Sequence, residues 1–274
     1  MIDILSYLFI QKALMSGIVI SIACSMLGLF LVMRRYSLFG DAMAHVALSG
    51  IAIGIFLNIY PLWSSLLTSI LASLGITKLR KSSRLQGDII IAVLLITGVA
   101  SAVLLISASE GFTVDLFSYL FGSIFLISNE DFIAVIIASI GIVSSLIILK
   151  DRLLFMALDE EQAKISGINT EVIDYIFMIL ASIIVIIAIR LVGVLLVSSL
   201  IVLPNIASIM LGKGFKDTLL ASIGISIASV IIGILASYYL DLAPSGMIVL
   251  VGVLALLIIA VNKRVNKIRL TIKQ

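Results

Sequence analysis

Asp41 and His45 lie four residues apart in Gly40-Asp-Ala-Met-Ala-His-Val-Ala-Leu-Ser-Gly50. On a helix that spacing puts both side chains on one face. His45 is the single histidine of the chain. An imidazole beside a carboxylate suits a divalent transition metal better than a hard alkaline-earth ion. Two side chains do not complete a coordination shell, so other helices or a second chain must contribute. Ser49 continues the stripe as a pathway-lining candidate. A second reading stays open: His45 hydrogen-bonds Asp41 and orders the helix start, where a carboxylate also suits the helix dipole. Ser198, Asn205 and Ser208 fall roughly on one face of another apolar stretch, around Pro204. A proline inside a helix frees a carbonyl and can kink it. Such breaks mark substrate paths in transporters, but also plain packing kinks, and both readings stay open for Ser198 and Asn205.

These residues need helices to hold them in lipid. Of 274 residues, 62% are hydrophobic and 12% charged, and the mean hydropathy is +1.32. A soluble domain is about half apolar and a quarter charged. This composition leaves too little polar surface for a water-soluble globule. One cysteine, Cys24, excludes an internal disulfide. Apolar runs long enough to span fall near 13–33, 42–59, 61–77, 89–109, 131–149, 172–190, 191–211, 218–240 and 246–262. The expectation is an all-α polytopic membrane protein with eight or nine transmembrane helices, because lipid offers the backbone no partners. The runs lack the alternation of an outer-membrane barrel. Residues 1–274 read as one transmembrane domain.

Charge orients the spans. Sixteen of the 18 basic residues fall in alternate loops and the tail, among them Arg34, Arg35, Lys78, Arg80, Lys150, Lys213 and Lys263. The opposite loops hold only Lys12 and Arg190. The positive-inside rule makes the first set cytoplasmic, with the N-terminus outside and the C-terminus inside. Met1 to Phe9 has no basic n-region, so the first run reads as a retained span and not a signal peptide. Asp174 and Arg190 lie near span ends, where snorkelling accounts for them. Gly50 and Gly54, and the stripe Ser222, Ser226, Ser229, Gly233 and Ser237, read as close-packing seams. The segment Thr113 to Gly122 reads as an interfacial or re-entrant helix. In the longest basic-side loop, about 150–171, Asp159, Glu160 and Glu161 precede Ala163, Lys164 and Gly167. Acids first and a glycine last describe a short helix with a C-cap, of the kind a permease needs to dock on a soluble motor. No Walker A, H-E-x-x-H, G-x-S-x-G or S-x-x-K pattern occurs, so no ATPase, zinc protease or serine nucleophile is expected in the chain itself. A nucleic-acid role is not expected.

Five stretches together resemble one family. They are Met33-Arg-Arg-Tyr-Ser-Leu-Phe-Gly-Asp-Ala-Met-Ala-His45, Val114-Asp-Leu-Phe-Ser-Tyr-Leu-Phe-Gly-Ser123, the Asp159 to Gly167 loop, Val192-Gly-Val-Leu-Leu-Val-Ser-Ser-Leu-Ile-Val-Leu-Pro204, and Asp241-Leu-Ala-Pro-Ser-Gly-Met-Ile-Val-Leu250. The chain is similar, over essentially its whole length, to the permease subunits of prokaryotic ABC importers for zinc, manganese and iron. Their fold is that of the metal and cobalamin importers. The resemblance implies a prokaryotic plasma-membrane protein working as a pair, usually identical. It implies a cytoplasmic pair of ATP-binding subunits docked on the Asp159–Gly167 loop, and a solute-binding protein delivering metal outside. It places the family's pathway aspartate and histidine on Asp41 and His45, with a transported ion and no permanent cofactor. Two such pairs around a twofold axis would supply four ligands, and affinity would fall in acid as imidazole protonates. Asn205-Ile206 replace the family's small residues after Pro204. The single histidine argues against a zinc-only cargo. The alternatives are a permease for a metal chelate such as a siderophore or cobalamin, which would lack a dedicated metal pair, and a stand-alone secondary transporter. The latter would need a coupling carboxylate deep in a span.

Overall fold

The structure, a computed structural model, describes residues 6–82, 87–108, 122 and 128–272. Ten helices run through the described residues: α1 (Leu8–Met33), α2 (Phe39–Phe56), α3 (Pro61–Ser82), α4 (Gly87–Ala108), α5 (Asn129–Leu158), α6 (Glu160–Ile165), α7 (Thr170–Val192), α8 (Val194–Met210), α9 (Phe215–Leu240) and α10 (Pro244–Ile272). Eight are long and apolar enough to cross a membrane, and α8 is a shorter apolar helix. Both figures expected from the sequence therefore describe the chain, depending on whether α8 is counted. The expected re-entrant segment 113–122 lies outside the described residues, apart from Gly122.

Local sequence sets the helix ends. Ser128 caps α5 by accepting from the Asp131 amide at 3.1 Å, where Glu130 and Asp131 suit the positive helix end. The helix then runs 30 residues, about 45 Å, and carries Lys150 and Arg152 clear of the roughly 30 Å hydrocarbon layer. Between α7 and α8 the chain breaks at Gly193, with φ +82°, a conformation nearly reserved for glycine. A side chain on Gly122 would overlap the Val192 backbone there.

Two helices sit at the centre. α2 packs on α3, α4, α7 and α8, and α1 packs on α5, α7, α8 and α9. α10 touches α8 and α9 and turns most of its surface outward. Lipid is as apolar as leucine, so association rests on close approach and hydrogen bonds. The expected seams serve this. A side chain on Gly50 would overlap Thr68 and come within 2.6 Å of the Ser65 Cα, and one on Gly233 would stand 2.6 Å from the Ile248 Cα. Ser222, Ser226, Ser229 and Ser237 are all buried.

Hydroxyl and amide groups then tie α1, α8 and α9 together. Ser25 donates to Ser222 at 2.6 Å, Ser222 donates to Asn205 Oδ1 at 2.6 Å, and Asn205 Nδ2 donates to the Ile201 carbonyl at 2.7 Å. Gly28 faces this last pair, and a Cβ there would overlap both the Ile201 oxygen and the Asn205 amide. Gly28→Val is expected to destabilise the protein by about 1–3 kcal/mol, the usual cost of overpacking. Thermal unfolding of the detergent-purified protein measures it. A melting temperature equal to wild type would show that α1 and α8 are not held this closely.

Candidate metal centre and the basic face

From Phe39 to Ala52, every residue of α2 is buried except Asp41 and His45. Their side chains keep 38% and 25% of their exposure. The helix most enclosed by its neighbours thus opens at the two residues that could hold a metal. His45 Nε2 stands 3.9 Å from Asp41 Oδ1, too far for a hydrogen bond. The reading in which His45 merely bonds Asp41 does not match this geometry. Two donors on one tetrahedral ion sit about 3.3 Å apart, so a small side-chain rotation brings the pair to chelating distance. Among the described residues, no three His, Cys, Asp or Glu side chains gather around one point. Among the described residues, one chain therefore brings two candidate ligands together here.

The helices α4 and α8 flank the pair. The Gly98 Cβ position lies 3.0 Å from the Val46 amide nitrogen and 3.1 Å from the His45 carbonyl carbon. Gly40 faces Ile201 and the Ser198 backbone, its Cβ position 3.5 Å from the Ser198 Cα. Ser198 is half-buried and lies beside the turn that carries Asp41. The other two lining candidates are engaged elsewhere. Ser49 is 7% exposed, with its hydroxyl 2.9 Å from that of Ser101 on α4. Asn205 is fully buried, with both amide atoms used between helices. Their geometry is that of packing contacts.

At the opposite side of the α1–α2 turn is the basic face. The expected short helix is α6. Asp159 caps it, accepting from the Gln162 amide at 2.9 Å. Glu160 and Glu161 fill its first turn and Lys164 its last. Gly167 at φ +83° ends it, with the Ile168 amide returning to the Ala163 carbonyl at 3.1 Å, a C-cap arrangement. Ala163 is fully buried, whereas Leu158 and Ile165 are 72% and 86% exposed.

Beneath α6 lies a cluster that sequence reasoning missed. Asp174 is fully buried. Snorkelling, the sequence-based account of it, is excluded because its short side chain never reaches the surface. It meets Arg80 in a short hydrogen bond and Arg34 Nη2 at 2.7 Å. The second contact is too bent to count as a hydrogen bond. Glu160 meets Arg80 at 3.3 Å, Lys164 at 3.5 Å and Arg34 at 4.0 Å. The Tyr36 ring lies 5.7 Å from the Arg34 guanidinium and 5.8 Å from that of Arg80, within cation–π range. Three cations thus surround two carboxylates, with Lys164 at the exposed edge. The available signal was an acid inside an apolar run, opposite arginines at two other span ends. Burial pushes the Glu160 carboxyl up, but Arg80, Arg34 and Lys164 outweigh it and hold it below its usual value. A cavity of about 640 Å³, lined by Arg80, Glu160, Lys164 and Glu171 among others, opens beside α6.

Residues 6–263 match the model of the ABC 3 transport family. The chain is 34% identical over 265 residues to the probable metal transport system membrane protein of Treponema pallidum (strain Nichols), covering 97% of this chain and 99% of that one. It is 29% identical to the manganese transport system membrane protein MntC of Halalkalibacterium halodurans, over 91% of this chain and 86% of that one. Among solved structures it superposes on a chain of PsaBC from Streptococcus pneumoniae in complex with Fab. That match has a TM-score of 0.82 and 26% identity, over 94% of this chain and 93% of that one.

The depressed Glu160 carboxyl gives the anchoring of α6 a pH sign. Its contribution is present above the ordinary glutamate range of about 4.3 and is lost as pH falls through the lower folded value. Hydrogen exchange of the α6 amides, corrected for intrinsic rates, should show constant protection at neutral pH and weakening in acid. Glu160→Gln should exchange faster at neutral pH. Equal wild-type protection at pH 7 and well below 4 would remove Glu160 as the anchor.

Proposed function

The chain belongs to the ABC 3 transport family, and we infer from this that it is the membrane permease of an importer carrying a divalent transition metal into the cytoplasm. Manganese, zinc and iron are the candidate cargoes, and ATP is hydrolysed on a separate subunit pair. The observation that carries the reading is that, from Phe39 to Ala52, α2 is open only at Asp41 and His45. A metal passing the membrane must exchange its water for protein ligands without being trapped. A carboxylate and an imidazole from each of two chains make a complete but divided shell. That supports a homodimeric pathway, with each half opening at its own surface. Ser198, beside the Asp41 turn, lines the approach. Nothing in this ligand set selects one metal, since geometry and the delivering protein decide selectivity. The chelate alternative has less support, because the Asp41–His45 pair serves a bare ion.

The partners follow from the two ends of the bundle. At the basic end, Leu158 at the end of α5 and Ile165 at the end of α6 face solvent, while Ala163 holds α6 to the bundle. An exposed apolar pair beside charged Glu161 and Lys164 suits a groove on the ATP-binding subunit. Counting α8 as a ninth crossing puts the termini on opposite sides. The positive-inside rule then leaves the N-terminus outside and the C-terminus in the cytoplasm of a prokaryotic plasma membrane. The outer face receives metal from a solute-binding protein.

Asp41→Ala and His45→Ala should each abolish metal uptake in cells or proteoliposomes, while the folded permease still co-purifies with its ATPase. Wild-type uptake by both variants would remove the metal-centre assignment. Ile165→Asp should reduce ATPase co-purification without lowering the melting temperature of the isolated permease. Undiminished co-purification would move the docking surface away from α6.

A further inference from the structure

We propose that Arg34, Arg80, Asp174 and Glu160 form a mechanical linkage that makes the start of α2 follow the position of α6. These are positioning residues: none touches the metal. The inference rests on the importer reading and adds how movement at the motor side reaches the metal ligands.

The linkage joins four separate stretches of chain. Glu160 opens α6, Arg80 is in the last turn of α3, Asp174 lies near the start of α7, and Arg34 follows the last residue of α1. Asp174 is fully buried, and the Arg34 side chain is 4% exposed. Taking charges out of water is costly, and removing one partner of a buried pair leaves the other uncompensated. The four stretches must then shift together or break the cluster altogether. A packed, paired interior has discrete arrangements and does not yield gradually.

The turn after Arg34 carries that shift directly into α2. It is short and internally bonded. The Arg34 amide donates to the Phe30 carbonyl at 3.0 Å, the Tyr36 amide to Leu31 at 2.7 Å and the Phe39 amide to the Tyr36 carbonyl at 3.0 Å. Arg35 holds a left-handed φ of +62°. The Tyr36 ring touches both guanidinium groups and also fills the space in front of Gly87 at the start of α4. Asp41 follows Phe39 by two residues, about 3 Å along the helix axis. Between Glu160 on α6 and Asp41 on α2 there is thus one ionic contact and one rigid turn. Of the four linkage residues Glu160 is the one on α6, so it is the point where force enters.

The test uses the whole transporter, permease with its ATPase and solute-binding protein, in proteoliposomes supplied with manganese. Metal taken up and ATP hydrolysed are measured together for wild type, Glu160→Gln, Arg80→Gln and the double variant. Asp174→Asn is a fourth case that keeps side-chain volume. Each single variant should lower metal transported per ATP by about fivefold or more, the low end of ordinary coupling energies. ATPase co-purification should stay near wild type for Arg80→Gln, whose side chain lies beneath α6 and outside the Asp159–Gly167 loop. The double variant should be no worse than the more affected single, because both remove one linkage. Unchanged metal per ATP in Glu160→Gln and Arg80→Gln would overturn the linkage. So would losses that multiply in the double variant, which point to Glu160 acting on the ATPase and Arg80 acting elsewhere. Loss of ATPase binding in step with uptake would make the residues part of the dock. Failure of wild type to accumulate manganese, zinc or iron would instead overturn the importer reading beneath the proposal.

Discussion

Inside the hydrocarbon layer a hydroxyl, an amide or a charge finds no water, so each must be answered within the protein. The chain from Ser25 through Ser222 and Asn205 to the Ile201 carbonyl answers three side chains with one line of hydrogen bonds across α1, α9 and α8. Glycines let the backbones come close enough for that line to form. Gly28 does so directly, because any side chain there would occupy the space of the Asn205 amide. The same constraint explains why Asp174, deep and charged, sits between two arginines. Polar groups are few in this protein, and nearly every buried one described above is a fastening between helices.

Against that background the exposure of Asp41 and His45 is informative. α2 is closed on four sides by α3, α4, α7 and α8, yet it leaves these two side chains open. A helix built only for packing would have filled those positions with apolar or small residues, as it does at Ala42, Met43, Ala44 and Ala47. The opening begins at Asp41, within one turn of the α1–α2 loop, whose Arg34 belongs to the buried cluster. The Asp41–His45 pair and the buried ionic cluster are thus neighbours along the chain, on opposite sides of a single turn.

Most of the helices were legible because lipid demands long apolar runs, and their ends because charges and caps cluster there. The α6 helix was legible from three acids and a glycine, and the packing seams from small residues at steps of three and four. The break between α7 and α8 was harder to place, since Leu191 and Val192 continue the apolar pattern and only the φ of Gly193 ends it. The Asp41–His45 pair was legible as a spacing, but its exposure depends on helices distant in sequence. Asn205 left a pathway and a packing reading open in the sequence, because its partner, Ser222, lies on the following helix. Asp174 was misread for a related reason. Its counter-charges, Arg34 and Arg80, come from the α1–α2 turn and the end of α3, and nothing local in the sequence announces the meeting.

The proposed division of the metal shell between two chains would have a genetic consequence. If the metal shell is completed across a twofold axis, a subunit lacking Asp41 or His45 spoils any pair it enters. In a cell making equal amounts of intact and defective chains, about a quarter of randomly assembled pairs would carry both halves intact. The defective allele would then behave as dominant, although the protein it encodes folds, inserts and binds its partners normally. A lesion confined to one chain's own packing, such as at Gly28, would be lost before assembly and behave as recessive. Inheritance pattern would thereby separate the shared part of this molecule from the private part.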